Sequence, residues 1–163
     1  MPDDIKLSDP TLLARIDDLN RRYGHLIDDG DLECWPELFA EDGLYKITTR
    51  WNFKNNMPAG LMLCDSRAMM QDRISALRTA NIYEPHSYRH LIDPPMMTAG
   101  AGDAMSVQTS FAVFRTMQSG ASEIFSTGKY LDTLIDINGG LIFQERIVVC
   151  DSERIDTMIV IPL

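Results

Sequence analysis

Three histidines are the residues best suited to bind a metal, and their spacing argues against it. They are His25, His86 and His90. A mixed-ligand iron–sulfur cluster needs Cys-x-His and Cys-x-x-His spacings, which do not occur here, and a mononuclear iron needs two histidines and a carboxylate. His86 and His90 lie in HSYRHLI, which is typical of a strand, where four residues span roughly 13 Å. The sequence therefore predicts no metal site, a surface position for His25, and hydrogen-bonding, pocket or interface roles for the other two.

A second group of residues could perform acid–base chemistry. Asp28, Asp29 and Asp31 cluster where one predicted helix ends and the next begins, and a suitably placed carboxylate there could act as a general acid or base. Tyr45 and Tyr88 could polarise a carbonyl group if their hydroxyls face a pocket. Each has a structural explanation as well, because carboxylates cap helices and face solvent, and tyrosines fill cores. The sequence favours the structural explanations.

Other nucleophiles lack the context that would activate them. No serine lies in a Gly-x-Ser-x-Gly elbow, and no glycine-rich phosphate loop occurs. The three cysteines are an odd number without repeat spacing: Cys34, Cys64 and Cys150. With no secretion signal at the start of the given sequence, they are expected to be free, buried thiols of a cytoplasmic protein. The apolar runs are too short to cross a membrane.

Length and charge narrow the function classes further. A chain of 163 residues, 45% of them hydrophobic, is expected to form one domain spanning residues 1–163. The formal charge of −9 argues against binding to nucleic acids or anionic membranes. Residues 1–42 hold 12 of the 24 acidic residues but only four basic ones. This segment is therefore either a solvated helical face or a docking surface for a basic partner.

The N-terminal half is predicted to be mainly helical. Ser8 or Asp9 caps a first amphipathic helix that starts at Pro10 and ends near Gly30. A short second helix follows Asp31, runs through Trp35 to Phe39, and is broken by Gly43. A third helix is capped by Asp65 or Ser66 and has four residues predicted to face inward: Met69, Met70, Ile74 and Leu77.

The rest of the chain is predicted to form strands. The stretch LYKITTRW is the first, and later strands are HSYRHLI, AMSVQTSFAVFRTM, SEIFSTGKYLDTLIDI and LIFQERIVVC. The turn NGG at residues 138–140 predicts a hairpin, because Asn and Gly tolerate positive φ. Helices followed by long strands indicate an α+β fold. We expect a long, curved antiparallel sheet packed on about three N-terminal helices, forming a cone with a possible pocket at its open end.

The order of these segments resembles the small (β) subunit of aromatic-ring-hydroxylating dioxygenases, within the nuclear-transport-factor-like, cystatin-like cone superfamily. The resemblance covers nearly the whole chain and rests on WPELFAEDGLYKIT, DSRAMMQDRISALRT, SYRHLI and KYLDTLIDINGGLIFQERIVVCDSERID. In the last segment the matching residues are Asp132, Leu134, Gly140, Arg146 and Asp151. The stretch DPPMMTAGAG departs from the family, where an Asn and a Val-rich strand often follow.

The resemblance implies a non-catalytic, structural subunit. Three copies would assemble with three large (α) subunits, which carry a Rieske [2Fe-2S] cluster and a mononuclear Fe(II), while this chain holds no cofactor. Ferredoxin and reductase components would supply electrons from NAD(P)H. The overall likeness favours an aromatic acid such as anthranilate, benzoate or salicylate as the substrate of the complex. Five residues are interface candidates because aromatic, Met and Arg side chains are enriched at interfaces: Trp51, Arg89, Met96, Met97 and Arg115.

A stand-alone enzyme remains the alternative. Superfamily members similar to scytalone dehydratase use an Asp near the helix junction and a His on a strand. The approximate matches here are Asp31 with His86 or His90, and Tyr45 would polarise the substrate. Such a dehydratase or isomerase would be stable and active alone, whereas a β subunit would expose apolar surface for its partner.

Overall fold

The computed structural model describes residues 9–80, 82–101, 103–155 and 159–163. Its helices are α1 (Pro10–Asp28), a 3-10 helix (Leu32–Leu38), α2 (Arg50–Lys54) and α3 (Arg67–Thr79). The first strands are β1 (Phe39–Thr49), β2 (Met62–Cys64), β3 (His86–Ile92) and β4 (Met96–Ala101). Three long strands complete the described part: β5 (Ala104–Met117), β6 (Ser122–Ile137) and β7 (Gly140–Cys150).

Both long helices begin where their capping residues predict. The Asp9 carboxylate accepts the Thr11 N–H at 2.9 Å, with Pro10 as the first helical residue. The Ser66 hydroxyl accepts the Met69 N–H at 3.2 Å at the start of α3. Helix α3 buries Met70, Ile74 and Leu77, but Met69 is exposed. The inward prediction for Met69 was wrong because it lies about 100° around the helix from Met70.

The chain between α1 and α2 differs from the prediction. The 3-10 helix contains Trp35 and Pro36, and the Asp31 side chain makes no capping hydrogen bond. Strand β1 begins at Phe39, so Gly43 lies inside a strand, at the point where its register with β7 shifts. The strand ends at Thr49, whose hydroxyl accepts the Asn52 N–H and starts α2. Trp51 therefore lies on a short helix and not on a strand.

One seven-stranded sheet contains the strands of the described residues, in the order β2-β1-β7-β6-β5-β3, with β4 also paired to β5. The sheet is mixed, because β1 pairs with β7 in parallel while the other pairs are antiparallel. The sheet was predicted to be antiparallel, and the β1–β7 pair is the exception: β1 lies beside β7, which is far from it in the sequence, so local patterns could not predict this pairing. Strand β4 was also missed, since MMTAGA is short and rich in small residues.

The other strand predictions hold. Strands β3, β5 and β6 have the predicted bounds, and the β6–β7 hairpin turns at Asn138 and Gly139, with φ of 53° and 82°. The core lies between the sheet and the helices and contains the predicted anchors Trp35, Leu38, Phe39 and Tyr45. The architecture is α+β, as predicted.

Candidate functional site

A buried acid–histidine pair joins the end of α1 to strand β3. One Asp28 carboxylate oxygen lies 2.6 Å from His90 Nδ1, and the other accepts the His90 backbone N–H at 2.8 Å. The two side chains are 3% and 1% exposed. Nδ1 therefore carries a proton that it donates to the carboxylate, which fixes the orientation of the imidazole. His90 Nε2 is buried and has no hydrogen-bond partner among the described residues.

This pair corrects the predicted one. Asp31 is exposed at the start of the 3-10 helix, and the described hydrogen bonds join His90 to Asp28 instead. His86 is half-buried, and its Nδ1 lies 2.8 Å from the Glu84 carbonyl oxygen. Gly24 lies one turn before Asp28 on the same face of α1, and this glycine was the sequence signal that could have identified Asp28 as the partner of His90. A Cβ at Gly24 would lie 3.4 Å from the His90 Cβ, so this face of α1 packs closely on β3.

The carboxylate cluster thus divides into a buried member and exposed ones. The prediction that all three carboxylates face solvent was wrong for Asp28, whereas Asp29 and Asp31 are exposed. His25 is exposed as predicted. Arg89 Nη1 lies 3.8 Å from an Asp28 carboxylate oxygen. The Arg89 side chain is 64% exposed, so the cation that faces the buried carboxylate is itself largely in solvent.

Three tyrosines on α1, β1 and β6 converge in the core. The hydroxyls of Tyr23 and Tyr45 lie 3.3 Å apart, and both contact the backbone oxygen of Leu163. Burial raises the pKa of Tyr23 to about 12 and that of Tyr45 and Tyr130 well above the ordinary value. Tyr45 is therefore a buried hydrogen-bond donor at neutral pH, and its hydroxyl is already engaged by the chain itself.

A second buried network lies beside these tyrosines. Arg146 donates to both carboxylate oxygens of Asp132, at 2.8 and 2.7 Å, and to the Asn20 amide oxygen at 2.5 Å. Its guanidinium also lies 4.0–4.2 Å from the ring centroids of Tyr23, Tyr130 and Phe143. Burial raises the pKa of Asp132, although Arg146 opposes this shift. The sequence singled out Asp132 and Arg146 only as motif matches, without predicting their contact.

The interface candidates divide by exposure. Trp51 on α2 and Met96 on β4 are 56% and 54% exposed, and Arg89 is exposed on β3. Met97 is buried because side chains of successive strand residues point to opposite faces. The Arg115 side chain is only 11% exposed, since it pairs with Glu123 and lies over the Phe125 ring. Trp51, Arg89 and Met96 thus remain available to a partner.

The described residues contain no cluster of three or more His, Cys, Asp or Glu side chains that could hold a metal ion. His90 Nδ1 is engaged by Asp28, and His86 and His90 are separated along one strand by Tyr88. Cys64 and Cys150 are buried free thiols, whereas Cys34 is exposed, which corrects its predicted burial. Among the described helices, none has the length and apolarity needed to span a membrane.

A surface groove of about 700 Å³ lies between the start of α1 and the β6–β7 turn, lined by residues that include Ala14, Arg15, Gly139 and Leu141. It is open, and the Arg15–Asp136 ion pair beside it is solvent-exposed. A smaller groove of about 290 Å³ runs past Asp28 and Arg89. A third groove, of about 370 Å³, is lined by residues that include His25, Asp29, Asp31 and Cys34.

Several known proteins are similar to this chain in sequence and fold. The SnoaL-like domain matches residues 11–147. The β1 subunit of the terephthalate 1,2-dioxygenase terminal oxygenase from Comamonas sp. is 43% identical over 144 residues, covering 88% of this chain and 94% of that protein. The small subunit of anthranilate 1,2-dioxygenase from Burkholderia cepacia is 35% identical, with coverage of 88% and 89%.

A solved structure agrees with these sequence matches. It is described as the β subunit of an aromatic-ring-hydroxylating dioxygenase from Novosphingobium aromaticivorans, and it superposes with a TM-score of 0.85 at 38% identity, covering 93% of this chain and 95% of that one. A scytalone-dehydratase-like protein from the same organism has a TM-score of 0.67 at 14% identity, which indicates a shared fold alone. The chain therefore belongs to the SnoaL-like family and, within it, to the β subunits of the aromatic-ring-hydroxylating dioxygenases.

Proposed function

We propose that this chain is the non-catalytic β subunit of a multicomponent terminal oxygenase that adds O2 to an aromatic carboxylate during aromatic catabolism. The observation that carries the proposal is the 43% and 35% identity, over 88% of the chain, to β subunits of terephthalate and anthranilate dioxygenases. Both of those names specify aromatic carboxylates. The large subunit is expected to make most of the contacts that select the substrate.

The buried chemistry of this chain supports a structural role. The Asp28–His90 pair is nearly inaccessible and already hydrogen-bonded, and Tyr45 is bonded to the chain's own backbone. A general acid or base must reach its substrate directly or through one water molecule. These groups therefore hold the cone together, and the reaction takes place on the partner subunit.

The assembly that we propose contains three of these chains and three large subunits. The large subunits would hold the Rieske [2Fe-2S] cluster and the mononuclear Fe(II), and ferredoxin and reductase components would deliver electrons from NAD(P)H in the cytoplasm. Neither nucleic acid nor a membrane takes part. The exposed side chains of Trp51 and Met96 supply apolar area for the contact. Arg89 adds an exposed cation on β3, which pairs with β5 as the Met96 strand β4 does.

Co-expression with the large subunit encoded beside this chain tests the proposal. A tag on this chain should recover a hexamer-sized complex that contains iron and oxidises terephthalate or anthranilate, whereas this chain purified alone should contain no iron. Recovery of an iron-free oligomer that ignores the large subunit would contradict the assembly. A complex that forms but oxidises only uncharged aromatic compounds would contradict the substrate class alone.

The Asp28–His90 pair is the observation that favours the alternative, a stand-alone dehydratase or isomerase on the same cone. In that case His90 would act as the general base. Replacing Asp28 would reduce turnover, because the His90 imidazole would lose the hydrogen bond that orients it. The alternative requires an open path to His90, and its side chain is 1% exposed. Turnover by the chain without any large subunit would support this alternative.

A further inference from the structure

Four exposed apolar side chains lie at the β2 edge of the sheet and are here called the edge patch. They are 42–44% exposed and come from α2, the loop after it and β2: Phe53, Met57, Leu61 and Leu63. Trp51 is not among them, because Phe53 lies about 200° around α2 from it. A contiguous apolar patch on the surface is typical of a contact with another protein.

Lys46 of β1 holds the parts of the edge patch together. It pairs with Leu63 of β2, so the two side chains share one face of the sheet. The Lys46 ammonium also donates to the carbonyl oxygens of Met57 and Pro58, at 3.5 and 3.3 Å. The loop therefore lies against the strands, and the patch includes a cation.

The sequence around the edge patch is basic, although the whole chain has a formal charge of −9. Residues 43–64 contain three basic residues and no acidic one. One of the three, Arg50, pairs with Asp151. Lys46 and Lys54 form no ion pair in the part of the chain that the structure describes. The patch thus combines apolar area with positive charge, which favours an acidic partner surface.

The chain itself carries a surface of the opposite kind. The groove of about 370 Å³ between the end of α1 and the 3-10 helix is here called the acidic groove. Its lining contains three carboxylates, one guanidinium, one imidazole and two leucines, from Asp29, Asp31, Glu37, Arg22, His25, Leu26 and Leu38. The three carboxylates form no ion pair with any described residue. The acidic segment noted in the sequence therefore surrounds a groove with apolar lining.

The two surfaces lie too far apart to meet within one chain. The acidic groove adjoins the start of β1, whereas the edge patch lies towards its end. Strand β1 has 11 residues, which span roughly 30 Å. A second copy can bring the surfaces together, and opposite charges must meet if copies with a charge of −9 are to associate.

We propose that the edge patch of one copy of this chain binds the acidic groove of the next copy. Phe53 and Met57 contact the leucines of the groove, and Lys54 faces its carboxylates. A contact between two different surfaces, repeated by each copy, closes into a ring or continues as a filament. A ring of three copies fits the proposed assembly. The inference deepens the proposed function and rests on it for the number of copies alone.

The exposed thiol of Cys34 lines the acidic groove, so cross-linking can test the contact. In the Met57→Cys variant, a short bis-maleimide should join position 57 of one copy to Cys34 of the next and give covalent dimers and trimers. Cys64 and Cys150 are buried and should not react. Two controls should give no more product than the native chain: Ile137→Cys, which is about equally exposed at the end of β6, and Met57→Cys/Cys34→Ser.

The reaction is carried out on the chain alone and on the complex purified with the large subunit. Cross-links that require both cysteines, in either sample, would support the contact. Their absence from both samples, an equal yield in a control variant, or a product that joins position 57 to the large subunit would overturn it. Cross-linking of the chain when no complex forms would support this contact and contradict the proposed function, so the two failures are distinguishable.

A second test reverses the charges. In the Met57→Cys background, Lys54→Glu should slow the cross-linking about 10-fold, because it places a carboxylate against those of the groove. Lys129→Glu makes the same change in net charge at an exposed position on β6 and should leave the rate unchanged. Adding Asp31→Lys and Glu37→Lys to Lys54→Glu should restore the rate. Equal slowing by the two lysine variants, or no restoration, would contradict the pairing of these surfaces.

Discussion

Asp132 and Arg146 lie directly opposite each other on β6 and β7, and their fully buried side chains form a bidentate ion pair. The pair is fixed from the helical side by Asn20 and enclosed by the rings of Tyr23, Tyr130 and Phe143. It therefore joins α1 to the two central strands of the sheet. The same rings belong to the hydrophobic core, so the pair lies where the sheet meets that core.

Replacing Asp132 alone should be severely destabilising. Asp132→Ala leaves the Arg146 guanidinium buried and without its anion, which costs about 3–5 kcal/mol of the free energy of unfolding in urea. The apolar double variant Asp132→Leu/Arg146→Met should recover a large part of that loss, because both charges are then absent.

The exposed pair between Arg15 and Asp136 provides the control for this prediction. Arg15→Met should cost only about 0–1 kcal/mol, since solvent screens such pairs. Equal losses for Asp132→Ala and Arg15→Met would show that burial of the Asp132 pair does not matter, contrary to the structure.

Asp28 should contribute more to stability than its neighbour in the sequence. Asp28→Ala removes the acceptor of two His90 hydrogen bonds and leaves the buried imidazole unpaired, so we expect a loss of about 1–3 kcal/mol. Asp29→Ala changes an exposed carboxylate one position away and should stay within about 0.5 kcal/mol. Chemical denaturation measures both, and similar values for the two variants would contradict the buried pair.

Stability should fall at alkaline pH because of the buried tyrosines. The pKa of Tyr23 rises from 10.0 in the unfolded chain to about 12 in the fold. Between these values the unfolded state binds fewer protons than the native state, so the unfolding free energy decreases as pH rises. The Tyr23 contribution is fully present below pH 10 and is lost as pH approaches 12.

Urea midpoints measured across this range test the prediction, and Tyr45 and Tyr130 should steepen the decline because their pKa values shift in the same direction. The Tyr23→Phe variant removes one titrating group and should show a shallower decline. A midpoint that stays constant through the same range would contradict the burial of these hydroxyls.

The exposed apolar residues should matter for assembly but not for folding. Trp51→Asp or Met96→Asp should weaken the association with the large subunit by about 2 kcal/mol or more, roughly 30-fold in Kd, if either residue lies at the centre of the contact. Thermal unfolding of the isolated variants should change little, since both side chains are more than half exposed. Co-purification yield and binding affinity provide the measurements.

Ile137 is the matched control, because it is 50% exposed at the end of β6, beside the hairpin turn. Ile137→Asp should retain full association with the large subunit. If all three variants associate normally, the interface lies elsewhere on the cone, and Arg89 becomes the remaining candidate from the sequence.

Local sequence patterns were sufficient for most of the secondary structure. The Asp9 cap with Pro10, the Ser66 cap and the Asn138–Gly139 turn act within a few residues, so their outcome can be predicted from neighbouring positions. Errors occurred where longer-range contacts decide. Gly43 lies within β1 because pairing with β7 extends the strand past it, and β4 forms because β5 offers a partner for a weak sequence.

The sequence by itself determined the α+β class, the order of the long strands, the aromatic core around Trp35 and the resemblance to dioxygenase β subunits. Only the tertiary structure decided which charged residues meet. Asp28, and not Asp31, reaches His90 because α1 ends with that face against β3. Arg146 meets Asp132 through the register of β6 and β7. Tyr23 and Tyr45 contact Leu163, which is more than a hundred residues away in the sequence. An unpaired polar group is costly in the core, so a buried hydroxyl bonds to whichever partner the fold brings close to it.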